Sequence, residues 1–557
     1  MELAAPSRTM KKGAEDNGQI TVHEATYHLL RRLELTTVFG NPGSTEQPFL
    51  KNFPDDFEYV LGLQEASAVG MADGFCQATN KPVLVNLHSA AGPGNAMCAI
   101  MTAFQNKTPL IITAGQQTRE MALSEPYLTN VDETVLPRPW VKWAYQPLRA
   151  QDVPGAIMRA YAIAVQPPAG PVYLCIPLDD WDQPALGDED VRTVSSRYAP
   201  DPDRIAMFAE RIREAKNPVL VYGQQIDRSG GWDAGVTFAE QLQAPVYLPP
   251  LPDRASFPET HPQFRGALPM AIGPLSQRLK GHDLVIVIGA EVFRYYPHIA
   301  GDYLPEGTDL LHITEDPAWA AKAVAGDSLL SDAKLALDSL IKLVPKAQRR
   351  TLPPVPQAEK KAPSAPQGPL RAMEAFVTLS ELRPANAIVF NESASNAEDV
   401  VRAWPTAEPQ SYFSFASGAL GWGAPAAVGI AIAQKKTGQG RPVIAFIGDG
   451  SLQYSVQCLY SAVQHKAKVI FIVPCNGEYA ILKEFAVLEK TPNVPALDLP
   501  GLDVVSAAKA FGCTGTLANT KDEIKKAFGA ALRADGPTLI AIPIAREERP
   551  LLPPVSD

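Results

Sequence analysis

Gly448-Asp449-Gly450-Ser451 and Asn476 are the residues whose types and spacing most invite a chemical reading. The Gly-Asp-Gly stretch follows the apolar run RPVIAF and opens a helical pattern, LQYSVQCLYSAVQH. Gly448 and Gly450 let backbone amides approach phosphate oxygens, and Asp449 falls at a strand tip, where a cation could bridge them. Asn476 comes 27 residues later, at the end of a second apolar run, KVIFIVPC, and begins the loop NGEY. Adjacent parallel strands would bring the carboxylate and the amide together. That is a hard-oxygen pair suited to Mg²⁺, with a diphosphate completing the shell. Alone, Gly-Asp-Gly reads more readily as an ordinary turn; the strand-end Asn at this distance strengthens it.

Three polar side chains stand out in the first third of the chain. Ser44 lies in VFGNPGSTE (38–46), a loop that could present its hydroxyl to a ligand or cap a helix. Glu65 interrupts the apolar helical pattern of residues 62–74, where a carboxylate is costly unless paired or protonated. A solvated or ion-paired acid at a helix start is the plainer reading. His88 sits at a strand end in NLHSAAGPGN (86–95). It is either a satisfied structural group or a proton carrier titrating near neutrality.

Positioning such residues takes a scaffold, and the chain has the composition for one. Its 557 residues suggest three or four domains, with 46% hydrophobic and 20% charged residues, as in folded globular proteins. A net charge of −10 disfavours nucleic acid as a partner. The six cysteines (76, 98, 175, 458, 475 and 513) form no CxxC pair and read as small buried residues in a reducing compartment. Residues 1–18 are polar without a signal core, and no run of 18 apolar residues occurs, so a cytoplasmic protein without a membrane span is expected.

The chain turns polar around 186–203, and proline and lysine dominate 345–369, the composition of an extended linker. The expected organisation is a tail over 1–19, domains over 20–186, 203–345 and 370–548, and a linker over 346–369. Within each domain, short apolar runs such as TTVFG, PVLVNL, LVIVIGA, AIVFNE and VIAFIG alternate with helical patterns. These are buried parallel strands in βαβ units, and the fold expected is α/β, three doubly wound parallel sheets. Ligands in such sheets bind beyond the strands' carboxyl ends.

Gly-Asp-Gly followed by about 25 residues and Asn resembles the cofactor signature of thiamine diphosphate enzymes. With GNPGS, LQEA, NLHSAAG, TAGQQTR (113–119), LTNVD (128–132), LPRP (136–139) and the GHD–VIGA–VFRY stretch (281–295), the similarity extends from about residue 20 to 545 and is to the benzoylformate decarboxylase family. The resemblance implies thiamine diphosphate and Mg²⁺ as cofactors and a 2-oxo acid as substrate, released as CO₂ and an aldehyde. It implies that Asp449, Asn476 and a backbone carbonyl of Glu478 hold the metal, although the family's usual Asn-Asn pair is Cys475-Asn476 here. Gly450, Ser451 and Ser395 would contact the cofactor, Leu420 would wedge it into a bent form, and the Gly418 carbonyl would accept from its aminopyrimidine. Glu65 would activate it at the pyrimidine N1′, Ser44 would hold the substrate carboxylate, and His88 would serve the addition step. The family's sites lie between the first domain of one subunit and the third of another, so a dimer is the minimum unit and a tetramer is expected.

Several positions depart from the family. Its second catalytic histidine aligns with Tyr296, with His298 two residues on. Its pocket aromatic aligns with Ser414, with Phe415 one residue late. Tyr127 replaces a pocket leucine beside Leu128, Ile481 replaces a small alanine, and Phe485 stays aromatic. These changes read either as a pocket of altered shape or as compensated drift. Two alternatives remain: a carboligase of the acetolactate synthase kind, with flavin in the middle domain, and a non-catalytic scaffold. No complete GxGxxG supports flavin. Intact Glu65, Asp449 and Asn476 argue against the scaffold.

Overall fold

Strands buried on both faces need helices on both sides, the setting in which parallel sheets form. The computed structural model describes residues 20–347, 368–547 and 549–552. The expected tail over 1–19, and most of the expected linker over 346–369, lie outside the described residues. The chain forms three six-stranded sheets, and all named strand pairs are parallel.

The first sheet contains β1 (Thr37–Asn41), β2 (Glu58–Leu61), β3 (Val83–Leu87), β4 (Leu110–Gln116), β5 (Ala144–Tyr145) and β6 (Val172–Pro177), in the order β2-β1-β3-β4-β6-β5. The second contains β7 (Pro218–Tyr222), β8 (Val246–Leu248), β9 (Phe264–Ala267), β10 (Leu284–Ile288), β11 (Asp309–Thr314) and β12 (Asp327–Leu330), in the order β12-β11-β10-β7-β8-β9. The third contains β13 (Ile388–Glu392), β14 (Tyr412–Ser414), β15 (Val443–Ile447), β16 (Val469–Cys475), β17 (Thr514–Leu517) and β18 (Thr538–Pro543), and repeats the order of the first as β14-β13-β15-β16-β18-β17. The doubly wound α/β expectation is met in all three.

The first and third domains meet through two helices, Glu65–Thr79 and Gly423–Thr437. Glycines set how closely they approach. A Cβ at Gly74 would lie 2.0 Å from the Ala426 carbonyl oxygen, and one at Gly429 would lie 1.9 Å from that of Met71. Across this interface Trp422 Nε1 donates to Asp73 at 2.7 Å. Asp73 is fully buried and also accepts from Asn106, Thr108 and Gln77. Burial pushes its carboxyl above the usual range, opposed by those four donors. The middle domain covers the edge strand β14: Ser414 N donates to the Asp253 carbonyl at 2.8 Å, and Arg254 bridges Phe413 antiparallel.

Cys98 is exposed and Cys475 half-buried, which corrects the reading of all six cysteines as buried; the other four are buried, and all are free. The helical pattern after Gly-Asp-Gly is also broken in two, Asp449–Gln453 and Cys458–Gln464. Among the described residues no helix is long and apolar enough to cross a membrane.

Candidate active site

In an open parallel sheet the crevice for a ligand lies where strand order reverses, beyond the carboxyl ends. The reversal falls between β1 and β3 in the first sheet and between β13 and β15 in the third. β1 runs into Asn41-Pro42-Gly43-Ser44, and β3 into His88. Ser44 is exposed there and caps no helix, the cap of the following helix being Glu46. His88 Nδ1 lies 2.9 Å from Glu46 Oε2 and 3.1 Å from Thr45 Oγ1. A carboxylate partner places the ring proton on Nδ1, so Nε2 is the atom left for chemistry. Glu46 is 1% exposed, and it accepts the amides of Gly43 at 2.9 Å and Gly115 at 2.8 Å. Gly43 must be glycine because a Cβ would lie 2.2 Å from the His88 ring.

Glu65 is the first residue of its helix, not an interruption within it. Its carboxylate is 8% exposed and accepts from Asn41 Nδ2 at 3.2 Å and Asn95 Nδ2 at 3.0 Å. Both donors are neutral side-chain amides. Glu46, Asn41 and Asn95 were not singled out in the sequence. The signal available for Glu46 was an acid two residues after Ser44 in a loop between a strand and a short helix.

In the third domain, β15 and β16 are adjacent and parallel, which places Asp449 beside the loop of Asn476. Asp449 accepts from Gly450 N at 2.9 Å and Gly477 N at 2.8 Å. Its carboxyl is pushed above the usual range by burial, and among the described residues no ion pair gives it a basic partner. A buried acid without a counter-charge, next to an amide oxygen, is a donor set that fits a hard divalent cation. The Asn476 side-chain oxygen accepts from Glu478 N at 3.2 Å. The Glu478 side chain is buried and ion-paired to Lys483 and Arg546, so only its carbonyl remains available. Arg546 also braces the loop, donating to the carbonyls of Asn476 at 3.0 Å and Gly477 at 3.1 Å. Gly450 and Ser451 are buried in the short helix Asp449–Gln453 that follows β15, and Ser395 is half-buried in the 3-10 turn Ala394–Asn396 that follows β13.

Gly418 is exposed at φ +74 with open space where a Cβ would stand, and Leu420 is half-buried. Behind them Glu392, at the tip of β13, accepts from Gly421 N at 2.6 Å and from Gly423 N. Burial pushes its carboxyl up to about 7. The Tyr296 ring packs on Phe485 with centroids 4.9 Å apart, which brings the middle domain to the third domain's half of the site. Ile481 lies one turn before Phe485 on the helix Ala480–Leu488. Ser414 Oγ donates to the Asn391 carbonyl at 2.8 Å, so its hydroxyl proton is committed to the backbone. His298, Tyr127 and Leu128 are exposed, Tyr127 by 89%. Among the described residues, no hydrogen bond or ion pair joins Ser44, Glu65 and His88 to Asp449, Asn476 and Glu478. The first group lies in the first domain and the second in the third.

Comparison with known proteins assigns the three domains. Residues 20–135 match the N-terminal TPP binding domain of the thiamine pyrophosphate enzymes, 205–340 the central domain, and 394–542 the C-terminal TPP binding domain. Fold and domain matches thus define one class, the three-domain thiamine pyrophosphate enzymes. Benzoylformate decarboxylase of Pseudomonas aeruginosa is 46% identical over 528 residues, 94% of this chain and 98% of that protein. The crystal structure of benzoylformate decarboxylase from Polynucleobacter necessarius is 52% identical, with a TM-score of 0.93, covering 95% of this chain and 100% of that one. A probable acetolactate synthase large subunit of Methanocaldococcus jannaschii is 25% identical over 561 residues, 95% of this chain and 93% of that protein. The chain belongs to the benzoylformate decarboxylase family of these enzymes.

Proposed function

We propose that the chain, a thiamine-diphosphate-dependent carboxy-lyase, acts on an aromatic, benzoylformate-like 2-oxo acid and releases CO₂ and an aldehyde. The observation that carries the reading is the pair of half-sites at matching switch points, with Glu65 and the His88–Glu46 pair on one and Asp449 beside Asn476 on the other. Asp449, Asn476 and the Glu478 carbonyl would hold Mg²⁺, with Gly450, Ser451 and Ser395 toward the diphosphate. When bound, the cofactor supplies the electron sink that lets a carboxylate leave as CO₂. Glu65 exchanges a proton at the pyrimidine N1′. Ser44 donates to the substrate carboxylate, and His88 moves a proton at Nε2 while Glu46 holds its Nδ1–H. Leu420 would pack against the bound cofactor, and Ile481, Phe485 and Tyr296 would limit water at the reacting carbon, with Ser414, Tyr127 and Leu128 as further lining.

The halves complete each other only between subunits, so we take a dimer as the minimum unit and a tetramer as the assembly, in the cytoplasm. Exposed apolar side chains support this: Leu123, Val131 and Val135 on the first domain and Val487 on the third. We take the domains as 20–186, 203–345 and 370–548, a reading supported by one six-stranded sheet in each.

The second reading, carboligation, rests on Tyr296 standing where the family has a histidine. The test is a CO₂-release screen of benzoylformate, phenylpyruvate and pyruvate with thiamine diphosphate and Mg²⁺, with product analysis. Benzoylformate should turn over fastest and give mainly aldehyde. Turnover of pyruvate alone, with a 2-hydroxy-2-methyl acid as product, would overturn the decarboxylase in favour of the carboligase.

A further inference from the structure

The middle sheet reverses its strand order between β7 and β10, so its ligand crevice should open beyond Tyr222 and Ile288. That place is filled from within. Gln224, Asp253, Glu291 and Arg294 close around a cavity of about 10 Å³, barely one water's worth of room. Arg294 is the centre of the closure. Its Nη2 donates to the Leu251 carbonyl and to Asp253 Oδ2, each at 3.2 Å, and Gln224 donates to the same Asp253 oxygen at 3.0 Å. Glu291 lies 4.0 Å from its Nε and pairs with Lys322.

The remaining arm of the guanidinium leaves the crevice altogether. Nη1 donates to the Ala416 carbonyl at 2.9 Å, in the third-domain loop that carries Gly418 two residues on. The same loop is held at Ser414 by the Asp253 carbonyl and at Ser417 by Thr102 of the first domain, at 2.8 Å each. Arg294 also stands two residues before Tyr296, whose ring rests on Phe485. A planar, permanently charged fork can hold a carboxylate and two carbonyls in fixed directions at once, which an ammonium cannot.

We propose that Arg294 is a positioning residue for the decarboxylation: it occupies the middle domain's own ligand crevice and uses that anchorage to fix loop 414–418 and the turn bearing Tyr296. This rests on the proposed function in taking that loop as cofactor-lining.

The test compares Arg294→Ala and Arg294→Lys with the wild-type holoenzyme by amide hydrogen exchange, thiamine diphosphate affinity, kcat and KM. In the alanine variant the amides of 415–418 should exchange about tenfold faster while the core strands of the middle sheet keep their protection, as loss of charge-assisted bonds at one loop requires. Cofactor affinity and kcat should each fall about tenfold with KM nearly constant, and millimolar guanidinium should restore part of kcat. The lysine variant should lie between, having the charge but not the fork. Unchanged exchange in 415–418, or exchange raised evenly across the middle domain, would overturn the positioning role. A wild-type protein that bound no thiamine diphosphate would sink the proposed function, while the exchange comparison would still decide what Arg294 does.

Discussion

Tyr296, which by the resemblance stands where the family carries its second catalytic histidine, is the residue on which the product of the proposed reaction would turn. Its ring is fixed against Phe485 and 57% exposed, so the phenol borders the third domain's half-site without being buried in it. A phenol is a weaker acid than an imidazolium and delivers a proton more slowly. Slower delivery leaves more time for a second aldehyde to be captured before product leaves. Tyr296→His should therefore raise aldehyde release and lower the 2-hydroxy ketone fraction at fixed aldehyde concentration. His298 is the competing donor, but it is exposed and two residues further along. If His298→Ala changes the product ratio and Tyr296→His does not, the proton is handled by His298. A ratio unmoved in both would assign it to His88 or water.

The helix Ala480–Leu488 carries Ile481 and Phe485 toward the site and a liability on its inner face. Glu484 is 9% exposed, with no hydrogen bond or ion pair among the described residues, and burial pushes its carboxyl from 4.5 up to about 7. The folded protein therefore keeps a proton that the unfolded chain releases. Its stabilising share is complete below about 4.5 and is lost as pH rises through about 7. Glu484→Gln should raise the thermal midpoint at pH 8, by the equivalent of about 3 kcal/mol, and change it little at pH 4.5. Equal shifts at both pH values would show that titration is not the cause.

Elements also decide what the sequence could reveal. Strands such as β7, β10 and β15, buried on both faces, appear as unbroken apolar runs and were legible. The edge strands β2, β9, β12 and β17 are only partly buried, so they carry no such run and were missed. The site divides in the same way. Asp449, Asn476 and Glu65 announced themselves by spacing or by an awkward charge. Glu46, Asn95 and Arg294 act through partners 30 to more than 100 residues away, and no local pattern records that.

The whole molecule poses one question that neither half-site answers alone. Glu65 and His88 stand at the first sheet's switch point and Asp449 at the third's, and the packing of helix Glu65–Thr79 on Gly423–Thr437 joins the two domains without bringing those groups into contact. If each site takes its first-domain half from one subunit and its third-domain half from another, two inactive variants should repair each other. Glu65→Gln and Asp449→Ala would each be inactive alone. In a mixed dimer, one site combines both defects and the other combines the intact Glu65 of one chain with the intact Asp449 of its partner. Random re-association makes half the dimers mixed, each with one intact site of two, so about a quarter of wild-type activity should return. Leu123→Asp, placed in the exposed apolar stretch of the first domain, should prevent that recovery if it blocks association. Dissociating and re-mixing the two variants, with sedimentation to count subunits and CO₂ release to count sites, checks both points. Recovery of no activity from a mixture that demonstrably contains mixed dimers would place both halves of each site within a single chain.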